Sequence, residues 1–170
     1  MTLNSRPLNF LGAFICYQLL VTAYYFQYVE FMDPCPLCIF SRVAIFSLGV
    51  VLLLNAIFQP RHESIWNKLF QILGMFCAAM GIWISAKHVW IQNLPEDQVM
   101  DCGAPLDLLM DVMPMSEVIS TVLMGDGKCA EVNFEWLGLT MPGWMLLIFS
   151  VAFIVMTYRL VQAFRAPKHL

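Results

Sequence analysis

Two cysteines separated by two residues are the first candidates for chemistry in this chain. Cys35 and Cys38 flank Pro36-Leu37, and this Cys-x-x-Cys spacing favours a reactive thiolate in redox proteins. Such a pair closes a very small ring, whereas a structural disulfide stabilises a fold more when it closes a long loop. The spacing therefore predicts a redox-active dithiol that takes part in thiol–disulfide exchange.

Arg42 follows Cys38 by four residues and strengthens this prediction. If a helix begins near Pro36, the two side chains lie on one face, a single turn apart. Cys38 is then also close to a helix N-terminus, whose partial positive charge favours an anion. An arginine at the mouth of an apolar helix often only reaches toward water. The position of Arg42 on the side that carries few lysines and arginines, against the usual bias, favours a functional role.

Zinc is the main alternative chemistry, because a Cys-x-x-Cys pair is also half of a zinc knuckle. The second half is missing from the sequence. Cys102 and Cys129 stand far apart, and there is no His-x-x-x-His pair. We therefore predict no metal site.

The composition requires a lipid bilayer around much of the chain. Of the 170 residues, 60% are hydrophobic and only 12% are charged, whereas soluble domains have about 25% charged residues. Four stretches without charge, at 7–29, 43–60, 69–86 and 136–158, each have about the length that a membrane-crossing helix needs. We place the four spans at about 8–29, 38–59, 69–88 and 136–159. The predicted fold is an all-α four-helix transmembrane bundle, a single domain over 1–170. The net charge of −3 offers no basic surface for nucleic acid.

Lysine and arginine set the orientation of these spans, because cytoplasmic loops carry an excess of both residues. The side that holds the two termini has six of them, and the other side has only Arg42, Lys87 and Lys128. Both termini are therefore predicted to be cytoplasmic. The short loop at about 30–37 and the long loop at about 89–135 then face the oxidising side.

The six cysteines fall into two groups once the spans are placed. Cys16 and Cys77 lie inside apolar spans, where a lone thiol usually behaves as a small hydrophobe. The other four lie in or beside the outer loops, where disulfides form and persist: Cys35, Cys38, Cys102 and Cys129. This second group is predicted to carry the chemistry. His88, at the outer end of the third span, is a further candidate for a redox or ligand role.

The long outer loop contains an apolar stripe at helical spacing from Leu108 to Leu123, interrupted at Pro114. Charges in this segment prevent it from crossing a bilayer, so we expect a short helix that lies in the membrane interface. A helix that covers the end of the bundle fits the same pattern.

Several motifs, taken together and in this order, resemble the disulfide bond formation protein B (DsbB) family. They are Cys35-Pro36-Leu37-Cys38-Ile39-Phe40-Ser41-Arg42, the later Cys102, Gly127-Lys128-Cys129-Ala130-Glu131, and Trp136-Leu137-Gly138-Leu139-Thr140-Met141-Pro142. The resemblance covers nearly the whole chain. The layout of four cysteines with this arginine is highly specific, whereas any one fragment would be weak.

The resemblance implies an enzyme of the bacterial inner membrane that reoxidises DsbA, a periplasmic thiol oxidase of thioredoxin fold. The electrons would pass to a membrane quinone, either ubiquinone or menaquinone. By the same resemblance, Cys102 would form the mixed disulfide with the partner, and Cys129 would complete the second cysteine pair.

The resemblance also implies which residues serve the quinone. Cys35 and Cys38 would be reduced in turn, with Cys38 nearest the quinone and Arg42 assisting there. His88 occupies a position like that of a histidine near the quinone site in the family. This chain has Ser41 before the arginine, where the best-known relatives carry an acid, and that difference bears on potential and quinone preference.

Other interpretations fit part of the pattern. A four-span membrane protein without enzymatic activity would hold the same cysteines in structural disulfides, which resist reduction. A quinone-linked oxidoreductase of the vitamin K epoxide reductase type also uses a Cys-x-x-Cys pair, but that pair is expected in a late span, and here it precedes the second. The pattern fits both the general DsbB branch and its sister branch, which is paired with dedicated oxidases.

Overall fold

The computed structural model of the chain describes residues 5–31, 34–58, 65–93, 114, 135–136 and 138–165. These residues form four long helices: α1 Ser5–Tyr28, α2 Pro36–Phe58, α3 Ile65–Gln92 and α4 Met141–Arg165. All four are long and apolar enough to cross a membrane. The predicted all-α bundle of four membrane helices is confirmed. The expected interfacial helix of the long loop, together with Cys102 and Cys129, lies outside the described residues.

Each helix packs beside the next one along the chain, so that α1 contacts α2, α2 contacts α3, and α3 contacts α4. Small residues allow close approach of the helices, as is usual in membrane bundles. Gly49 of α2 faces Cys16 of α1, and Gly81 of α3 faces the fully buried ring of Phe149 of α4.

The outer surface of the bundle carries large apolar side chains on every helix. Phe14, Phe58, Trp66 and Ile154 are all more than 60% exposed. A soluble protein rarely shows such a surface to water. The helices therefore bury only a narrow internal stripe against one another and present the remaining apolar surface to lipid.

Two helices, α3 and α4, differ most from the spans drawn on charge and hydropathy. The span expected to begin near 136 becomes a helix only at Met141, because Glu135–Trp136 first pairs antiparallel with Leu139–Thr140. Gly138 makes this tight turn with φ of 77°, a conformation that glycine adopts without strain. The span expected at 69–88 is the core of the longer α3, since polar residues at its ends continue the helix beyond the apolar stretch.

Side-chain hydrogen bonds join the helices at both ends of the bundle. At one end, the hydroxyl of Thr140 donates to the side-chain oxygen of Gln92, at 2.8 Å, which ties the start of α4 to the end of α3. At the other end, the guanidinium of Arg159 donates to the side-chain oxygen of Asn9 and joins α4 to α1. These contacts fix the relative height of the helices, and with it the position of the side chains described next.

Candidate redox site

The Cys-x-x-Cys pair forms the N-terminus of α2. The carbonyl oxygen of Cys35 accepts hydrogen bonds from the backbone N–H groups of Cys38, at 3.0 Å, and Ile39, at 3.3 Å. Cys35 is therefore the residue that caps the helix. Pro36 occupies the first helical position, where a missing N–H costs nothing and the fixed φ suits the helix.

The two thiols of this pair are reduced and in contact. The thiol of Cys35 donates to Sγ of Cys38 across 3.3 Å. A disulfide bond is about 2.05 Å long, so small side-chain rotations bring the sulfur atoms to bonding distance. Cys35 is buried, whereas Cys38 is partly exposed on the first turn of the helix. The geometry suits a dithiol that cycles between reduced and oxidised states.

His88 is brought to this pair by the packing of α3 against α2. Its Nε2 atom lies 3.7 Å from Sγ of Cys35, and the ring is buried. An imidazole at this distance can exchange a proton with a thiol, because both groups can act as donor and acceptor. His88 and Cys35 are 53 positions apart in the chain, so the fold alone brings them together.

The same three side chains could also hold a metal ion. The ligand atoms of Cys35, Cys38 and His88 all lie within 4.8 Å of one another. Zinc binds thiolate at about 2.3 Å and imidazole at about 2.0–2.1 Å, and these separations allow a single ion to reach all three. No third ligand stands near the pair in the sequence, and the packing of α3 supplies one. Formation of the disulfide would remove two of the three ligands.

Arg42 lies one turn beyond Cys38 and reaches across to α1. Its guanidinium donates to the side-chain oxygen of Gln27 and, at 3.1 Å, to the backbone oxygen of Ala23. Its central carbon also lies 5.3 Å from the ring centroid of Tyr24, within cation–π range. Within the described part of the chain, none of these partners is a carboxylate. These neutral partners hold the guanidinium in place and do not themselves compensate its positive charge.

A cavity of about 360 Å³ opens among all four helices next to this cluster. Cys38, Arg42 and His88 line it together with Ser41 and Ser85. The rest of the wall is mostly apolar and is formed by Leu19, Leu20, Thr22, Ala23, Phe26, Ile45, Met141, Pro142, Trp144, Met145 and Ile148. A mostly apolar wall with a few convergent polar groups is the usual form of a small-molecule site.

A second cavity, of about 630 Å³, lies between α1 and α2. Tyr17, Tyr24 and Gln27 of α1 line it opposite Val43 and Phe46 of α2. Arg42 lines both cavities. Cys38 and His88 line only the first, which is therefore the cavity that combines binding with chemistry.

The structure brings together four of the six residues expected at the site. Cys35, Cys38, Arg42 and His88 form one cluster, whereas Cys102 and Cys129 lie outside the described residues. The cysteines expected to be inert lie elsewhere in the bundle: Cys16 is buried against α2, and Cys77 lies in the middle of α3.

Gln27 and Ser85 also belong to the site, although neither stands out in the sequence. Gln27 accepts from Arg42, and the buried Ser85 lines the cavity. Ser85 precedes His88 by three residues, so it shares a helix face with it. This spacing is the one signal that could have drawn attention to it.

Residues 5–159 match the family model described as "Disulfide bond formation protein DsbB". Several curated proteins named "Disulfide bond formation protein B" are also similar over most of the chain. The one from Nitrosococcus oceani is 46% identical over 149 residues, 88% of this chain and 87% of the relative. Those from Xanthomonas euvesicatoria pv. vesicatoria and Marinobacter nauticus are 38% and 36% identical, and the alignments cover 94% and 90% of this chain and 92% and 90% of the relatives.

Proposed function

Since the chain belongs to the DsbB family, and is thus a multi-pass bacterial membrane protein of disulfide bond formation, we propose that it oxidises a periplasmic DsbA-type dithiol and reduces a membrane quinone. Two cysteine pairs would carry the electrons. Cys102 and Cys129 would act at the partner, and Cys35 and Cys38 would act at the quinone.

The observation that carries this proposal is the cavity shared by Cys38, Arg42 and His88. A quinone ring is flat, uncharged and largely apolar, and its two oxygens accept hydrogen bonds. The mostly apolar wall suits the ring, and the guanidinium of Arg42 supplies donors for an oxygen. The residues present therefore fit this acceptor, and the free thiol of Cys38 on the same wall gives it a source of electrons.

The chemistry at this site is a two-electron exchange that balances as follows. Cys35 and Cys38 would lose two electrons and two protons as the S–S bond forms, and a bound quinone would accept the same two electrons and two protons and leave as quinol. Arg42 would stabilise the negative charge that develops on a ring oxygen, as a fixed donor does in a site that excludes water. His88, which is 3.7 Å from Cys35, would take the proton of that thiol.

The partner half of the reaction rests on the family relationship and on the position of the cysteines in the sequence. A soluble partner needs an accessible disulfide to attack, and Cys102 stands beside Gly103 in a charged loop. The excess of lysine and arginine on the opposite side supports cytoplasmic termini and a periplasmic position for this loop. The amphipathic segment between Cys102 and Cys129 would lie on the membrane and bring Cys129 to Cys35.

The test is quinone reduction by the purified protein in detergent, with a reduced thioredoxin-fold oxidase as donor and a short-chain ubiquinone as acceptor. We expect turnover by the native chain and its loss in both Cys38→Ser and Cys102→Ser. Dithiothreitol, which can reduce the Cys35–Cys38 disulfide directly, should restore quinone reduction in Cys102→Ser but not in Cys38→Ser. Cys77→Ser serves as the matched control and should retain full activity with both donors.

Arg42→Ala separates the two halves of the reaction. It should raise the quinone KM and lower kcat, while the oxidised protein still forms a mixed disulfide with the partner at the native rate. Unaltered quinone kinetics would remove Arg42 from the site. No quinone reduction with either donor would favour a non-enzymatic four-span protein whose disulfides are structural.

A further inference from the structure

Two serine hydroxyls on the wall of the redox cavity have no hydrogen-bond partner among the residues that the structure describes. The side chains of Ser41 and Ser85 are 8% and 1% exposed, and within the described part of the chain neither oxygen has a donor or acceptor in reach. Buried polar groups in proteins are almost always paired. Two such hydroxyls on one cavity wall therefore indicate a polar ligand that forms hydrogen bonds with them.

Other hydroxyls in the helices of the bundle show that a local partner is readily available. Four of them donate to the carbonyl oxygen one turn earlier, at 2.7 to 2.9 Å: Thr22, Ser47, Ser150 and Thr157. This back-bonding is the common solution for serine and threonine in apolar helices. Ser41 and Ser85, which line the cavity, do not make this bond.

The two serines repeat one spatial pattern on two helices. Ser41 lies three residues after Cys38 on α2, and Ser85 lies three residues before His88 on α3. Residues at this spacing share a helix face and differ by about 4.5 Å in height. Because α2 starts and α3 ends at the cysteine end of the bundle, both serines lie about one turn deeper than the thiol and the imidazole.

We propose that Ser85, together with Ser41, hydrogen-bonds the ring oxygens of the quinone and holds the ring in register with Cys38. This assignment rests on the function proposed above and extends it to the inner wall of the cavity. A lipid acyl chain would leave both hydroxyls unpaired, whereas a quinone supplies two oxygen acceptors.

A hydroxyl also suits both redox forms of the ligand. It donates to a carbonyl oxygen of the quinone, and after reduction it accepts from the O–H group of the quinol. No proton needs to leave the serine when the ligand changes state. A fixed cation such as Arg42 can donate but cannot accept, so the serines complement it.

The experiment measures binding separately from turnover. The oxidised protein in detergent is titrated by calorimetry with a ubiquinone that carries one isoprene unit. We expect Ser85→Ala to raise Kd roughly 5- to 15-fold, as for the loss of one buried neutral hydrogen bond, and Ser41→Ala to act in the same direction. Ser85→Thr keeps the hydroxyl and should bind within about twofold of the native protein. Ser150→Ala, which removes a hydroxyl that bonds within α4, is the matched control and should not change Kd.

Two further measurements exclude a merely structural effect. The infrared carbonyl band of bound, isotope-labelled quinone should move to higher frequency in Ser85→Ala, because a hydrogen bond to that oxygen has been lost. The quinone-free Ser85→Ala protein should melt at the native temperature or above it, since removal of an unpaired buried hydroxyl does not destabilise a fold.

The outcomes separate the two proposals. If the native protein binds the quinone and Ser85→Ala behaves like Ser150→Ala in Kd and carbonyl frequency, the serine assignment fails and the quinone function stands. A lower melting temperature in quinone-free Ser85→Ala would make weaker binding a packing effect and would also overturn the assignment. If the native protein neither binds nor reduces the quinone, the proposed function fails first.

Discussion

Replacement of Gly81 by alanine tests whether the close approach of α3 and α4 positions the redox cavity. Gly81 lies on the buried face of α3, one turn before Ser85. An added Cβ atom would lie 2.6 Å from Cγ of Phe149 and closer still to two other carbons of that ring. Phe149 is 0% exposed, so the ring has no space in which to move aside. We expect Gly81→Ala to push the two helices apart.

The size of this effect follows from the contact. Carbon atoms in ordinary contact are about 3.5–4.0 Å apart, so the ring or the helix must shift by about 1 Å. Overpacking of this kind costs about 1–3 kcal/mol, and the better helix propensity of alanine offsets about 1 kcal/mol of it. A net loss of about 1 kcal/mol lowers the melting temperature of a chain of this size by about 2–4 °C. The same shift separates Ser85 from Ile148 across the cavity, so the quinone KM should rise.

Gly74 provides the matched control on the same face of α3. A Cβ atom there would lie 3.3 Å from Cε and 3.4 Å from Sδ of Met156, and a flexible methionine can yield by a few tenths of an ångström. Gly74→Ala should therefore keep the native melting temperature or raise it slightly, with no change in KM. Thermal unfolding in detergent and steady-state quinone kinetics provide both measurements. A Gly81→Ala protein as stable as Gly74→Ala, with a native KM, would refute the reasoning.

Three further predictions concern the arginine and the cysteines. Gln27→Glu would give Arg42 a carboxylate partner and should lower kcat for quinone reduction by about tenfold. Gln27→Leu is the uncharged control and should lower kcat less. Equal rates in the two variants would contradict this prediction. Cys16→Ala and Cys77→Ala should each keep turnover within about twofold of native, and a large loss in either would overturn the division of the cysteines. Zn²⁺ can be titrated against a spectrophotometric indicator in a protein that lacks the two long-loop cysteines. It should bind the reduced form more tightly than the oxidised form, and His88→Ala should weaken its binding to the reduced form. Equal affinity for both redox forms would argue against the three-ligand site.

The number and type of helices could be predicted from the sequence because a bilayer imposes a simple rule. A membrane helix needs about 20 apolar residues, and the four stretches between charged residues meet that length. Helix ends depend on local geometry instead. The start of α4 at Met141 depends on a two-residue strand pair and on the turn at Gly138, and hydropathy does not detect either feature.

The candidate site likewise has some contacts that the sequence predicts and others that depend on helix packing. Cys38 and Arg42 are four residues apart, so knowledge of one helix start was enough to place them on one face. His88 reaches Cys35 only through the packing of α3 on α2, and Gln27 reaches Arg42 only through the packing of α1. Such contacts depend on helix rotation and height, which a hydropathy pattern along one helix does not fix.

Arg42 illustrates why those packing contacts matter for function. A partly buried cation often pairs with a carboxylate, since a charge is costly to remove from water. Among the described residues, the partners of the guanidinium are an amide oxygen, a backbone carbonyl and an aromatic ring. Neutral acceptors offset part of the desolvation cost without cancelling the charge, so its field remains available to a thiolate at Cys38 or to negative charge on a ligand in the cavity. An arginine paired with an acid at this position would be better stabilised and less useful to the reaction.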